Sequence, residues 1–252
     1  MQLQRVRKIR KGSVCVKLIC FPHAGGISLY YGFLRKYPYR NLEKILVFDY
    51  PRDSLIPSGT ADDFRFYTTA AADYIRSNTA PDEEYLLFGH SMGAFVACEA
   101  GLLLQNCEHR PPAGVIVSGQ NPPYAVTMGK HTEVPDDLYA FAKKLGGVPQ
   151  KILDHPEICE RFYRFAETDL KAVSQYAPVI PEASERLSRG LLIYGEDDCI
   201  VDQAYLSGWD KTFRSMEPAK VFAGDHFYFN QCPEAFSALI DSFAGSCRAS
   251  DC

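Results

Sequence analysis

The 252 residues are 46% hydrophobic, 13% aromatic and 23% charged, which suits a globular chain and sets aside collagenous, coiled-coil and disordered architectures. The net charge of −4 leaves no chain-wide basic field for nucleic acid. Arg5, Arg7, Lys8, Arg10 and Lys11 place five positive charges at one end and so leave −9 on the rest. The plain reading of that tip is a solvated end, and the alternative is an electrostatic partner site.

In chain order, residues 14–21 read as a buried strand running into the Gly-rich turn Pro22-His23-Ala24-Gly25-Gly26. A second strand is predicted over 44–49, a helix over 61–78, a third strand over 85–89 and a helix over 92–106. Further strands follow over 113–119, 191–195 and 220–223, with helices over 202–213 and 233–243. The strands are nearly all apolar, as parallel strands covered on both faces are. Alternating strand and helix predict an α/β fold with a mainly parallel sheet and helices on both faces. Between Gly119 and Gly190, 71 positions apart, the rhythm breaks, with helical patterns at 136–145 and 156–176 and no convincing strand. A single domain over 1–252 is expected, carrying a helical lid insertion at about 120–189.

The nine cysteines are odd in number and scattered, with no C-x-x-C pair, so neither a zinc site nor a redox motif is indicated. No signal-peptide pattern and no run of ~18 apolar residues is found, so a soluble, cytoplasmic protein with no membrane association is expected.

The strongest chemical signal is Gly89-His90-Ser91-Met92-Gly93, set between a buried strand and a helix. That context is the one a nucleophile elbow needs: a sharp turn exposes the serine hydroxyl, glycines on either side remove clashing side chains, and the Met92 N–H is free for an oxyanion. The competing reading is an ordinary Gly-rich turn. A serine nucleophile needs a base and an orienting acid, in the order Ser, acid, His. Glu196, Asp197 and Asp198 all follow the strand ending at Gly195, and each is a candidate acid. His226 follows the last strand in the expected order. His23, His90, His109, His131 and His155 lie in loops or in the elbow and compete poorly. Metal-dependent hydrolysis is disfavoured, because H-E-x-x-H and ligand-spaced clusters are absent. The turn at residues 22–26 supplies amides that suit a second oxyanion donor.

Together Cys20-Phe-Pro-His-Ala-Gly-Gly26, Gly89-His-Ser-Met-Gly-Ala94, residues 138–147, Gly195-Glu-Asp-Asp198 and Gly224-Asp-His-Phe-Tyr228 resemble the type II (editing) thioesterases of polyketide and nonribosomal peptide synthesis. Close kin are the medium-chain acyl-carrier-protein thioesterases of fatty acid synthesis. The resemblance implies the α/β-hydrolase fold, with Ser91 as nucleophile, His226 as base, Asp198 as orienting acid, and Ala24 and Met92 as oxyanion amides. It further implies an acyl site, for which His23, Phe141, Leu145, Phe162 and Phe165 are candidates, with Tyr176 beside them. Such side chains at helical spacing also serve as packing. One departure stands out: Tyr50-Pro51-Arg52-Asp53 replaces the family's Tyr-Pro-Gly-Arg loop, which bears on the pocket wall there. The implied substrate is an acyl group on the phosphopantetheine arm of an acyl- or peptidyl-carrier protein. Lys143, Lys144, Lys151 or the N-terminal cluster are candidate docking charges. No cofactor and no metal is called for, and a monomer is expected. The alternatives are a chain-releasing medium-chain thioesterase, a general carboxylesterase, or a non-catalytic scaffold; the last usually lacks a triad member, and here all three are present.

Overall fold

The computed structural model describes residues 16–52, 61–105, 110–130, 133–146 and 155–248. The basic cluster at 5–11, Asp53, His109, His131, Gly147 and Lys151 lie outside the described residues, as do Cys15, Cys107 and Cys252. Six strands build one sheet: β1 (Val16–Phe21), β2 (Leu42–Val47), β3 (Tyr85–His90), β4 (Gly114–Ser118), β5 (Leu187–Gly195) and β6 (Phe213–Phe222). Their order is β2-β1-β3-β4-β5-β6, and every neighbouring pair is parallel. The helices are α1 (Ala61–Asn78), α2 (Met92–Gln105), α3 (Pro123–Thr127), α4 (Leu138–Lys144), α5 (Pro156–Ser174) and α6 (Pro233–Arg248).

Every residue of the central strands β3 and β4 is buried. This follows from parallel strands needing crossover helices, which cover both faces of the sheet. Alternation then divides the side chains between two cores. Ile19, Phe21 and Leu87 join Phe64 and Tyr67 of α1, Phe95 of α2 and Leu170 of α5. Leu18, Cys20 and Phe88 point the other way, to Tyr31, Phe229 and the α6 residues Phe236 and Ile240.

Several boundaries differ from expectation. β6 begins at Phe213, not 220, because it is an edge strand whose residues 214–221 are mostly exposed, so they carry no continuous apolar signal. Its Pro218 is tolerable at an edge, where a missing N–H breaks no ladder. Arg189 of β5 pairs with Glu217 of β6, a charged cross-strand contact that also disguised the first residues of β5. The helix expected at 202–213 is a 3-10 helix over Gln203–Lys211, capped by the Asp202 carboxylate on the Ala204 N–H.

Between β4 and β5 lie α3, α4 and α5. No residue of α4 is buried. Buried positions on α5 begin only at Phe165 and continue through Ala166, Asp169, Leu170, Ala172 and Val173. Among the described residues no helix is long and apolar enough to cross a membrane.

Phe236 tests the α6 face. It is fully buried, with its ring against Phe88, Phe229 and Phe33. Phe236→Ala should lower the unfolding free energy by about 3–5 kcal/mol in urea titration. A loss below about 1 kcal/mol would mean that this face is loosely packed.

Candidate active site

The elbow forms where β3 passes into α2. Ser91 has φ of 56°, the only positive value at a non-glycine among the described residues. Its N–H donates to the Ser118 carbonyl at 2.8 Å, which ties the turn to the end of β4. The crossing is close: a Cβ on Gly93 would lie 2.0 Å from the Phe21 carbonyl oxygen, and one on Gly89 would lie 2.0 Å from that of Gly93. Only glycine fits at either place, and the left-handed serine is held by this packing at a cost of about 1–3 kcal/mol.

The ends of β5 and β6 are stapled by main-chain bonds, Glu196 N–H to Phe222 O at 2.8 Å and Asp197 N–H to Gly224 O at 2.9 Å. This brings Asp198 to His226: Nδ1 lies 3.0 and 2.9 Å from the two carboxylate oxygens. Both side chains are buried. Asp198 Oδ1 also accepts the Ile200 N–H at 2.9 Å, which fixes the carboxylate. Glu196 and Asp197 point into solvent. The remaining nitrogen, His226 Nε2, is buried without a hydrogen-bond partner.

Ser91 and His226 line one cavity of about 640 Å³, together with His23 and Ala24. Leu138, Phe141, Leu145, Phe162 and Leu170 give it an apolar lining, and Gln120, Asn121, Lys130 and Asp202 add polar groups. Lys130 and Asp202 neutralise each other there, 3.0 Å apart. Met92 is the first residue of α2, where helical amides have no acceptor within the helix.

The structure corrects one expected wall residue. Phe165 is buried away from the cavity, stacked on the Arg52 guanidinium at 4.7 Å and flanked by Arg161. Helical phase accounts for this, since it turns Phe162 and Ala166 to the cavity and Phe165 to the loop beside Arg52. Tyr176 is likewise packing, between Phe64 and Phe95 with its hydroxyl on Glu99.

The thioesterase-domain family pattern matches residues 16–247. The chain belongs to the thioesterase-domain family. It is 28% identical over 236 residues to a probable cadicidin biosynthesis thioesterase of Streptomyces griseus, covering 89% of this chain and 61% of that one. The chain thus spans under two thirds of that relative. The medium-chain S-acyl fatty acid synthase thioesterase of Rattus norvegicus is 25% identical over 84% of this chain and 81% of its own. The fold matches the type II thioesterase BorB from the borrelidin biosynthetic cluster with a TM-score of 0.74 at 21% identity, over 91% and 93% of the two chains. These neighbours place the chain in the α/β-hydrolase fold.

In this thioesterase-family site, two groups of contacts are absent from the sequence reading, although it names His90 and Arg52 themselves. His90, beside the serine, is fully buried with its ring 4.6 Å from that of His226, and its Nδ1 lies 2.9 Å from Ser118 Oγ. Ser118 Oγ in turn lies 2.7 Å from the Tyr228 hydroxyl. The second group is Arg52 with Asp169, whose carboxylate and guanidinium are 2.6 Å apart in the interior. Periodicity alone marks neither.

Burial, with the neighbouring His226 and Arg52 adding to it, pushes His23 down to about 3 from 6.5. Burial, followed by His226 and His23, also holds His90 well below the ordinary histidine range. The unfolded chain therefore takes up protons below pH 6.5 that the native state refuses, so stability rises with pH through this window and falls on acidification. Each of the two should cost up to about 1.4 kcal/mol per pH unit between pH 6.5 and 5, measured by urea unfolding. In NMR titration both rings should keep the shifts of neutral imidazole to pH 5, and a protonation midpoint near 6.5 would contradict the burial argument.

Proposed function

We propose that the protein is a serine thioesterase that hydrolyses acyl thioesters from the phosphopantetheine arm of acyl- or peptidyl-carrier proteins, in the editing role of type II thioesterases of polyketide and nonribosomal peptide synthesis. The observation that carries this reading is the convergence on one cavity of a strained elbow serine and a histidine whose far nitrogen is held by a buried aspartate. The similarity to the probable cadicidin biosynthesis thioesterase of Streptomyces griseus and to the type II thioesterase of the borrelidin cluster supports it.

In the reaction, His226 Nε2 takes the Ser91 hydroxyl proton as Oγ attacks the thioester carbonyl. Asp198 fixes the tautomer that leaves Nε2 available and stabilises the imidazolium that forms. The amides of Ala24 and Met92 receive the tetrahedral oxyanion, a contribution of about 2.7–4 kcal/mol for each donor in comparable sites. The intermediate collapses, the C–S bond breaks, and the thiolate leaves with the proton from His226. Water, deprotonated by the same histidine, then attacks the acyl-enzyme and releases the acid. Leu138, Phe141, Leu145, Phe162 and Leu170 receive the acyl chain, and His23 borders it beside the oxyanion turn. The described residues between β4 and β5 act as a lid over this site within a single domain, with Lys143 and Lys144, exposed at the end of α4, as docking charges for an acidic carrier.

Ser91→Ala should reduce hydrolysis of an acyl-carrier-protein thioester by at least about 10⁴-fold in kcat. Retained turnover would remove the serine mechanism. With the same acyl chain offered as thioester and as oxygen ester, kcat/KM should favour the thioester; a preference for the ester would replace this reading with a carboxylesterase.

A further inference from the structure

The turn that carries the Ala24 amide is gripped from outside by a buried ion pair. Asp169, on the lid helix α5, is fully buried and accepts four donors from three separate parts of the chain. Its Oδ2 takes the Gly25 N–H at 2.7 Å. The Arg52 guanidinium reaches both carboxylate oxygens, Nε at 3.0 and 3.1 Å and Nη2 at 2.6 Å. The Tyr67 hydroxyl of α1 donates to Oδ1 at 2.7 Å. Arg52 Nη2 also donates to the Gly26 carbonyl at 2.9 Å, so the pair holds an N–H and a C=O of one two-residue stretch. The guanidinium lies over the rings of Tyr50 and Phe165, at 5.1 and 4.7 Å.

The turn itself closes through the Gly26 N–H on the His23 carbonyl at 2.9 Å. The His23 C=O and the Ala24 N–H belong to one planar peptide and point in opposite directions. Orienting that carbonyl therefore orients the Ala24 amide. On the other side of the turn, the Tyr50 hydroxyl donates to the Pro22 carbonyl at 2.9 Å. A buried ion pair stabilises a fold little better than apolar residues of equal volume, whereas its geometry is strict. An electrostatic donor in an active site acts only if it is aimed before the reaction begins.

We propose that Arg52 and Asp169 are positioning residues for thioester hydrolysis: acting through the Gly25–Gly26 backbone, they aim the Ala24 amide at the oxygen of the tetrahedral intermediate. The inference rests on the proposed serine mechanism. It gives the altered Tyr50-Pro51-Arg52 segment a task in the reaction beyond shaping the wall, and it joins the helix lining the acyl site to the turn that stabilises the oxyanion.

The test uses the full chain with Arg52→Lys and Asp169→Asn, and Tyr67→Phe as a variant that touches the same carboxylate away from the turn. For an acyl-carrier-protein thioester, the first two should lower kcat by about 10–100-fold with KM held within about threefold. Affinity for a trifluoromethyl ketone analogue should fall by the same factor. In that complex Ser91 Oγ adds to the ketone carbon, the carbonyl oxygen becomes the anion, and the serine proton moves to His226. Affinity for a thioether analogue, which has no carbonyl oxygen, should stay within about twofold, and Tyr67→Phe should retain kcat within about threefold while lowering Tm. A wild-type kcat in folded Arg52→Lys and Asp169→Asn overturns the proposal, as does an equal loss of ketone and thioether affinity. If neither variant folds, amide exchange on the unaltered protein decides: strong protection of the Gly25 N–H supports the grip, and exchange at the free-peptide rate overturns it. Ser91→Ala run in parallel separates the two claims. Turnover surviving in Ser91→Ala fells the serine mechanism and this inference together, whereas an inactive Ser91→Ala beside fully active Arg52→Lys and Asp169→Asn fells this inference alone.

Discussion

The close crossing of β3 and α2 over the end of β1 is the constraint on which the site depends. With Gly93 against the Phe21 carbonyl and Gly89 against Gly93, a single methyl group at either position would push helix and strand apart. Ser91 would then lose its bond to Ser118 and its place above the sheet. The strand order amplifies the effect. Because all neighbouring strands run parallel, the loops after β1, β3, β4, β5 and β6 emerge on one edge, so this spacing sets the reference for every other chemical group.

Two further contacts carry that reference outward. At one end Asp169 of α5 bonds the Gly25 N–H, one residue beyond Ala24. At the other, Gly146, just past α4, sits so near the Asp225 carboxylate that a Cβ would lie 1.8 Å from it, one residue before His226. Asp225 in turn accepts the Phe227 N–H at 2.8 Å and so shapes the turn bearing the histidine. The segment between β4 and β5 thus touches the neighbours of both the proposed oxyanion donor Ala24 and the proposed base His226. His90, Ser118 and Tyr228 form a buried polar chain that backs the His226 ring.

What was legible in the sequence follows from the range of the interactions concerned. The buried strands, the elbow and the order Ser91, Asp198, His226 are written in local patterns: apolar runs, glycine spacing and residues at strand ends. The choice of Asp198 over Asp197 needed either the family pattern or the turn after Gly195, which buries one carboxylate and leaves the next in water. Arg52 and Asp169 are 117 positions apart, and Asp169 reads locally as one more polar residue of an amphipathic helix. Phe165 lies off the cavity on a face of α5 that packs on Arg52, a contact equally distant in sequence and equally invisible to local periodicity. The early part of β6 was hidden because an exposed edge strand needs no apolar run.

The uneven burial of α5 divides its work between the cavity and the core. Its first turns, Pro156–Cys159 and onward to Arg164, are largely exposed, whereas from Phe165 onward it is anchored in the core and locked through Asp169. α4 has no buried residue at all. The C-terminal half of α5 is thus held in the core, whereas its N-terminal half meets α4, with Tyr163 beside Tyr139. The exposed half carries Phe162 to the cavity, and the buried half carries Asp169 to the turn at Gly25. On the proposed mechanism, the lining of the acyl site and the aim of the oxyanion donor rest on different halves and faces of one helix.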